Sequence, residues 1–172
     1  MHLILDKINE NTELIVKTVN ENKSIIDLKP SIDEWSIIEI VDHLFKIDTN
    51  ILHNVLLNKS TENIADSNEA FGFDKMYHIL VNKRINKFES LNQFTPLLTN
   101  LEYDVHINEF SKRRSEIVTF VVNNPNILDN STFQHPRLGF LTRKDWLNFL
   151  YCHSVRHFYQ MNEILEIINS KG

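Results

Sequence analysis

Glycine is scarce in this sequence: its 172 residues include only three glycines, together with four prolines. An all-β protein needs turn residues about every 8–12 positions, and this chain does not have them. Hydrophobic residues make up 42% of the chain, an ordinary value for a folded protein. At this length about 70% of the extended surface is buried on folding, so no metal or disulfide is needed merely to fold. We therefore predict one mostly helical domain, residues 1–172.

Four segments carry apolar residues at spacings near three, four and seven, which is the period of a helix with one buried face. These segments cover roughly residues 3–22, 35–57, 103–122 and 142–169. Thr142 is placed to cap the last segment, and Asp145 in its first turn suits the positive end of the helix dipole. The periodicity thus predicts four long amphipathic helices.

A long crossover, residues 58–104, joins the second and third of these helices. Within it residues 73–88 have partial helical character and predict a short extra helix. Residues 133–141 are predicted to be a plain connection, in which His135 is extended because a proline follows it. The predicted fold class is all-α: an up-down four-helix bundle with a long crossover containing a short extra helix.

The charge balance argues against a nucleic-acid partner. Lysine and arginine number 18 against 23 acidic residues, which leaves a net charge of −5. Non-specific binding to a phosphate backbone depends on clustered positive charge, and the basic clusters here are short and surrounded by acids. We therefore expect no nucleic-acid partner.

Cysteine usage and the absence of long apolar runs bear on localisation. Cys152 is the only cysteine, so no intrachain disulfide forms, which suits a reducing compartment. The first residues lack the basic and apolar regions of a signal peptide. No apolar run approaches the roughly 20 residues that cross a bilayer. We therefore expect a cytoplasmic protein that does not interact with membranes.

Two histidines interrupt the apolar stripe of the last helix. His153 and His157 stand at positions where leucine is expected, four residues apart. On a helix this separation is about 40° of rotation and 6 Å of rise, so both imidazoles leave the same face. Side chains placed in this way can bind one metal ion. A pair at this spacing also occurs on exposed faces, or in a core where a ring nitrogen bonds a backbone carbonyl.

A third histidine, His43, lies beside the apolar stripe of the second helix, between Ile40 and Ile47. If the second and fourth helices are neighbours, three imidazoles converge in the core. Burying three uncoordinated imidazoles together is costly because each needs hydrogen-bond partners, and a shared metal removes that cost. His43, His153 and His157 are therefore the candidate metal ligands.

The remaining ionisable and polar residues near these positions are assigned simpler roles. Glu39, Asp48 and Gln160 are candidate partners that orient the imidazoles, or are merely surface groups. Cys152 is turned about 100° from His153 on the helix and is not expected to be a ligand. Structural or surface roles are expected for the other five histidines, His2, His53, His78, His106 and His135.

Three motifs follow one another in the sequence: WSIIEIVDHL at residues 35–44, HPRLGFLT at 135–142 and HSVRHFYQ at 153–160. The first is similar to the Trp-Ser…His-Leu signature that opens the second helix of the DinB/YfiT-like superfamily. The second resembles a His-Pro…Leu-Gly…Leu-Thr turn of one branch, and the third resembles the closing His-x-x-x-His segment. The order of elements and the length agree over nearly the whole chain, and residues 58–104 match least.

This resemblance implies a DinB-like four-helix bundle whose metal site is a histidine triad, here His43, His153 and His157. It also implies frequent homodimers. Some members of the superfamily are metal-dependent transferases that attach low-molecular-weight thiols, such as bacillithiol or mycothiol, to small molecules. Others are described as metal-dependent hydrolases without a demonstrated reaction.

Three histidines leave a divalent ion with open coordination positions, as catalytic metal sites do. Such an ion lowers the pKa of a bound water towards about 7, or deprotonates a bound thiol. Imidazole ligands suit several transition metals, and we expect zinc or nickel ahead of iron or manganese. The competing hypothesis is a non-catalytic helical binding module or structural dimer, because the sequence places no general acid or base beside the triad. No catalytic residue is assigned.

Overall fold

Helices make up most of the part of the chain that the structure describes. The computed structural model describes residues 2–58, 63–64, 70–84, 90–96 and 103–171. Its α-helices are α1 (His2–Glu21), α2 (Ile37–Ile51), α3 (Phe73–Tyr77), α4 (Tyr103–Asn123) and α5 (Arg143–Asn169). One π-helical turn, Leu52–Leu56, prolongs α2, and another, His78–Asn82, prolongs α3. Single 3₁₀ turns lie at Asn92–Phe94 and Pro125–Ile127. A mostly helical chain is what the periodicity predicts.

The four long helices pack against one another through their apolar stripes. Both α1 and α2 contact α4 and α5. The stripe residues Ile8, Ile40, Phe110 and Leu150 are all buried, one from each long helix. Burying a side chain of this kind contributes about 1.5–3 kcal/mol, so the stripes supply most of the drive for packing. None of the described helices is both long and apolar enough to cross a membrane.

Side-chain caps fix where α2 and α5 begin. Ser36 and Glu39 form a capping box, in which the backbone N–H of each residue donates to the side chain of the other. Thr142 caps α5 by accepting from the backbone N–H of Asp145 at 3.1 Å, as the sequence predicts. The histidines of both helices are therefore set in a fixed register relative to the helix starts.

A small antiparallel sheet replaces the plain connection predicted at residues 133–141. Its strands are β1 (Asn63–Ile64), β2 (Ser131–His135) and β3 (Gly139–Thr142), in the order β1-β2-β3. Phe133 and Leu141 lie opposite each other in the β2–β3 hairpin and are both buried. Gly139 has a φ of 78°, a conformation that side chains other than glycine rarely adopt. The plain connection predicted here is therefore wrong, because strands of four or five residues are too short to show clear alternation, while the mostly helical fold class stands.

The crossover is helical over a shorter stretch than its sequence predicts. The predicted helix at 73–88 corresponds to α3 and its π-helical turn, which ends at Asn82, while residues 85–88 lie outside the described residues. Asp145 ties the crossover to α5, because its carboxylate accepts from the backbone N–H groups of Phe71 and Gly72 at 3.1 and 2.9 Å. The crossover is thereby held against the helix that carries two of the candidate ligands.

Candidate metal centre

Helices α2 and α5 are neighbours, and their contact brings the three predicted histidines together. Ring nitrogens of His43, His153 and His157 all lie within 4.8 Å of one another. The closest approach is 3.2 Å, between Nε2 of His153 and Nε2 of His157. His43 and His157 are buried and His153 is half-buried. The structure thus brings together all three candidate ligands from two helices.

Aromatic rings enclose the three imidazoles. The indole of Trp35 lies 4.9 Å from the ring of His43 and 6.4 Å from the ring of His157, measured between centroids. On the other side, Phe149 stacks on His153 at 5.1 Å. These contacts restrict rotation of the imidazole rings.

Two of the imidazoles are oriented by hydrogen bonds from their Nδ1 atoms. His43 Nδ1 lies 2.8 Å from the backbone carbonyl of Phe94. His157 Nδ1 lies 2.9 Å from the side-chain oxygen of Gln160. Both partners are acceptors, so each Nδ1 carries the proton and donates, which leaves the lone pair on Nε2. In metal sites the second nitrogen of a histidine ligand is commonly held in this way.

The environment keeps the three imidazoles neutral. Burial lowers the pKa of His43, and it lowers the pKa values of His153 and His157 well below the ordinary value. The charged form of each neighbouring imidazole opposes protonation of the next, which adds to the decrease for His153 and His157. Neutral imidazole is the form that binds metal, so the site needs no proton removed at pH 7.

The donor set fits a divalent transition-metal ion. Two nitrogens that each lie about 2.0–2.1 Å from one ion in tetrahedral geometry are about 3.3–3.4 Å apart. The two Nε2 atoms of His153 and His157 are 3.2 Å apart, close to that value. A single N–H···N hydrogen bond between neutral rings has a similar length, and this is the metal-free alternative.

The triad opens onto a large cavity. The described residues enclose about 1170 Å³, and the walls include all three histidines together with Trp35, Phe149 and Gln160. Small-molecule sites are typically apolar cavities of about 300–1,000 Å³ with a few polar groups. The three imidazoles therefore lie where a small molecule can reach them.

The chain is similar over most of its length to a protein of Bacillus subtilis (strain 168). The two sequences are 28% identical over 160 residues, which cover 91% of this chain and 95% of the relative. The relative carries the name "Uncharacterized protein YuaE", so the similarity brings no activity with it. No family model matches the chain, and no solved structure matches it. The chemistry of the site therefore rests on its own geometry.

The three predicted partners of the imidazoles have different outcomes. Gln160 contacts His157 as described above. Glu39 belongs to the capping box of α2 and pairs with Lys29 at 2.8 Å, so it does not orient an imidazole. Asp48 is buried in an ion pair with Arg114, away from the cavity walls. The partner of His43, the carbonyl of Phe94, is a main-chain group and has no signal in the sequence.

Cys152 lies outside the group of possible ligands, as its position on the helix predicts. It is buried, and burial raises the pKa of its thiol to about 12, although Lys7 opposes the rise. The thiolate is the form that binds metal, so this side chain stays protonated and inert.

Among the five remaining histidines, His135 has a position that the sequence did not indicate. His53 and His78 are exposed and His106 is half-buried, which agrees with surface roles, and nothing is described of the His2 side chain. His135 does have a structural role in the hairpin, but it also lines the same cavity as the triad. The signal available in the sequence was the His-Pro motif itself, which places a histidine at a turn.

Replacing Gln160 by leucine is expected to weaken metal binding without unfolding the protein. The substitution keeps the size of the side chain and removes the acceptor that holds the Nδ1 proton of His157. Loss of such a contact typically costs 10–100-fold in metal affinity. Competition with a chromogenic chelator measures the change. Gln134→Leu, at an exposed residue of the same cavity, is the matched control. Equal affinities in both variants would mean that packing alone orients His157.

Proposed function

We propose that this protein is a metal-dependent enzyme of the DinB/YfiT-like type, a four-helix bundle that activates a thiol or a water on a small-molecule substrate. The observation that carries the proposal is the convergence of three neutral imidazoles, from His43, His153 and His157, on the wall of a large cavity. Catalytic metal sites combine three protein ligands with an accessible position, whereas structural sites are closed by four.

The absence of a fourth ligand supports an open site. Within the described residues the group of possible ligands contains three histidines and no carboxylate or thiolate. A divalent ion held by the triad supplies a Lewis acid that lowers the pKa of a thiol or a water at neutral pH. The chain itself contributes fixed imidazoles, through hydrogen bonds to Phe94 and Gln160 and ring contacts with Trp35 and Phe149.

The cavity leaves room for a small molecule beside the triad. Its volume, about 1170 Å³, lies near the upper end of the usual range for small-molecule sites, and it is partly open to solvent. The reaction that we propose is therefore thiol transfer or hydrolysis. The metal that we propose is zinc or nickel, with iron or manganese next, because imidazole ligands suit the later transition metals. A homodimer, which rests on the sequence resemblance, and a cytoplasmic location, which rests on the single cysteine and the sequence of the first residues, complete the proposal.

A pair of model reactions tests the proposal. For transfer, the metal-loaded protein is given cysteine and monochlorobimane: the thiol sulfur bonds to the bimane methylene carbon, chloride leaves and the thiol proton passes to buffer. For hydrolysis, it is given p-nitrophenyl acetate. We expect at least one rate to depend on metal and to fall about 100-fold or more in a His153→Ala/His157→Ala variant, since removing the ligands removes the Lewis acid.

The competing function is a non-catalytic helical module or structural dimer. It would be supported if the loaded protein, the metal-free protein and the double variant gave the same rates in both reactions. Folding of the double variant is checked by circular dichroism, so that a lost rate is not mistaken for a lost structure. His53→Ala, at an exposed histidine, controls for histidine removal.

A further inference from the structure

His135 has a fixed orientation in the cavity wall, and the hairpin provides it. The ring lies at the end of β2, where its Nδ1 accepts from the backbone N–H of Arg137 at 3.2 Å and of Leu138 at 3.1 Å. Both partners are donors, so Nδ1 must offer its lone pair. The proton of the neutral ring is therefore on Nε2, at the opposite edge of the imidazole.

The Nε2–H group of His135 is available to a ligand. Within the part of the chain that the structure describes, this atom has no hydrogen-bond partner, although the ring lines the cavity. Burial lowers the pKa of His135 to about 4, and the charge of Arg137 contributes to the decrease. At pH 7 the ring is neutral, so it acts as a fixed donor and not as a base.

The Nε2–H donor of His135 lies close to the triad. The His135 ring lies 4.7 Å from Phe149 in an edge-on arrangement, and Phe149 stacks on His153 at 5.1 Å. A single aromatic ring thus separates the donor from a candidate metal ligand. Trp146, at 5.2 Å, packs against His135 and keeps the imidazole from rotating.

We propose that Nε2–H of His135 binds a carboxylate oxygen of the substrate and so positions the substrate in the cavity that the candidate metal ligands also line. A carboxylate is the chemical class that we infer, because a carboxylate oxygen accepts from an N–H donor and the positive charge of Arg137, on the same turn, acts on this imidazole. The inference rests on the proposed function, because only an enzyme has a substrate. Binding of a carboxylate to His135 can be measured without any reaction.

Two substitutions separate the role of His135 in the turn from its role as a donor. In His135→Asn the side-chain oxygen stands where Nδ1 stood, so the hairpin keeps its acceptor and the cavity loses the donor. In His135→Gln the amide N–H stands near the position of Nε2, so the donor is kept and the acceptor is lost. A merely structural histidine would be replaced better by asparagine, and a ligand-binding one better by glutamine.

Nitrogen-15 NMR of the histidine rings in the zinc-loaded protein provides the test. We expect His135 to show the Nε2–H tautomer, and its Nε2 resonance to shift on titration with mercaptoacetate and not with mercaptoacetamide. Loss of a hydrogen bond to a charged group predicts about 10- to 100-fold weaker mercaptoacetate binding in His135→Asn. His135→Gln is expected to retain most of the affinity, and His53→Asn all of it.

An Nδ1–H tautomer, or a mercaptoacetate affinity unchanged in His135→Asn, would overturn the inference. The absence of any shift of the His135 Nε2 resonance in the wild-type protein would also overturn it, and this measurement does not require any variant to fold. If carboxylate binding depends on His135 while both model reactions fail, the inference stands and the proposed enzyme function falls. If the bimane reaction proceeds with mercaptoacetate as the thiol, and its KM for mercaptoacetate is the same in His135→Asn, the proposed enzyme function stands and the inference falls.

Discussion

Simultaneous replacement of His153 and His157 by alanine is expected to reduce bound metal from about one equivalent per chain to less than about 0.1, because one imidazole does not retain a divalent ion. Replacement of His43 alone leaves the pair on α5 and is expected to weaken binding strongly. The structure gives the reason: the three ring nitrogens lie within 4.8 Å of one another and come from two helices.

Elemental analysis of the protein without an affinity tag makes the measurement, since a polyhistidine tag would bind metal itself. Each protein is analysed as purified and after reconstitution with zinc or nickel followed by desalting. His53→Ala is the control at an exposed position. Wild-type protein that takes up no metal, or any triad variant that keeps its full equivalent, would show that the histidines are not the ligands. The three imidazoles would then be a hydrogen-bonded cluster in the core.

The second large effect is expected at the buried ion pair of Asp48 on α2 and Arg114 on α4. Both side chains are about 1% exposed, and the guanidinium donates from Nε to the Asp48 carboxylate. Burial raises the pKa of Asp48 to about 6, against the opposing effect of Arg114, so the carboxylate is still mostly ionised at pH 7. Within the described residues, both terminal nitrogens of Arg114 have no hydrogen-bond partner. Among the described residues, Asp48 is therefore the counterion of the guanidinium, which also lies over the ring of Phe110 at 5.0 Å.

Asp48→Asn is expected to destabilise the protein by about 3–5 kcal/mol, because it leaves a buried charge without its counterion. For a chain of this length that is a decrease of about 10 °C in Tm. Urea unfolding in the presence of a chelator measures the free energy without a contribution from metal. The double variant Asp48→Leu/Arg114→Met removes both charges and is expected to recover most of the loss.

An exposed pair supplies the comparison for this prediction. Lys17 and Glu21 lie four residues apart on α1, 3.8 Å from each other and more than half exposed. Lys17→Ala is expected to change the free energy of unfolding by less than about 0.5 kcal/mol. If Asp48→Asn had as small an effect, the guanidinium would have to find another partner or water in the core.

Much of the helical structure could be predicted from the sequence because a helix buried on one face has apolar residues at regular spacings. The predicted segment 103–122 corresponds to α4, and Thr142 caps α5 where expected. The hairpin of β2 and β3 shows no such periodic pattern in the sequence, since each strand places only a few residues on its buried face. The residue at which α2 ends could not be predicted either. The apolar stripe continues through the π-helical turn Leu52–Leu56, whose period differs from that of an α-helix.

The sequence could predict only those parts of the candidate site that are formed by distinctive side chains. His153 and His157 stand out because polar rings occupy an apolar stripe, and His43 stands out because it lies beside the apolar stripe of α2. The placement of His135 depends on a hairpin that folds back over the cavity, and spacing along the chain says nothing of that. Phe94 contributes its carbonyl, a group that every residue has, so no pattern of residue types identifies it.

That carbonyl has a consequence for how such a protein can diverge. Because His43 is oriented by the main chain of Phe94, the side chains around the 3₁₀ turn at Asn92–Phe94 are not needed for that bond. Gln93 and Phe94 line the cavity, so the same short segment both supports a candidate metal ligand and shapes the wall. Mutations there can alter which molecules enter while the backbone keeps the imidazole in place. For the enzyme that we propose, a change of substrate at this wall is thus separated from any change in the orientation of His43.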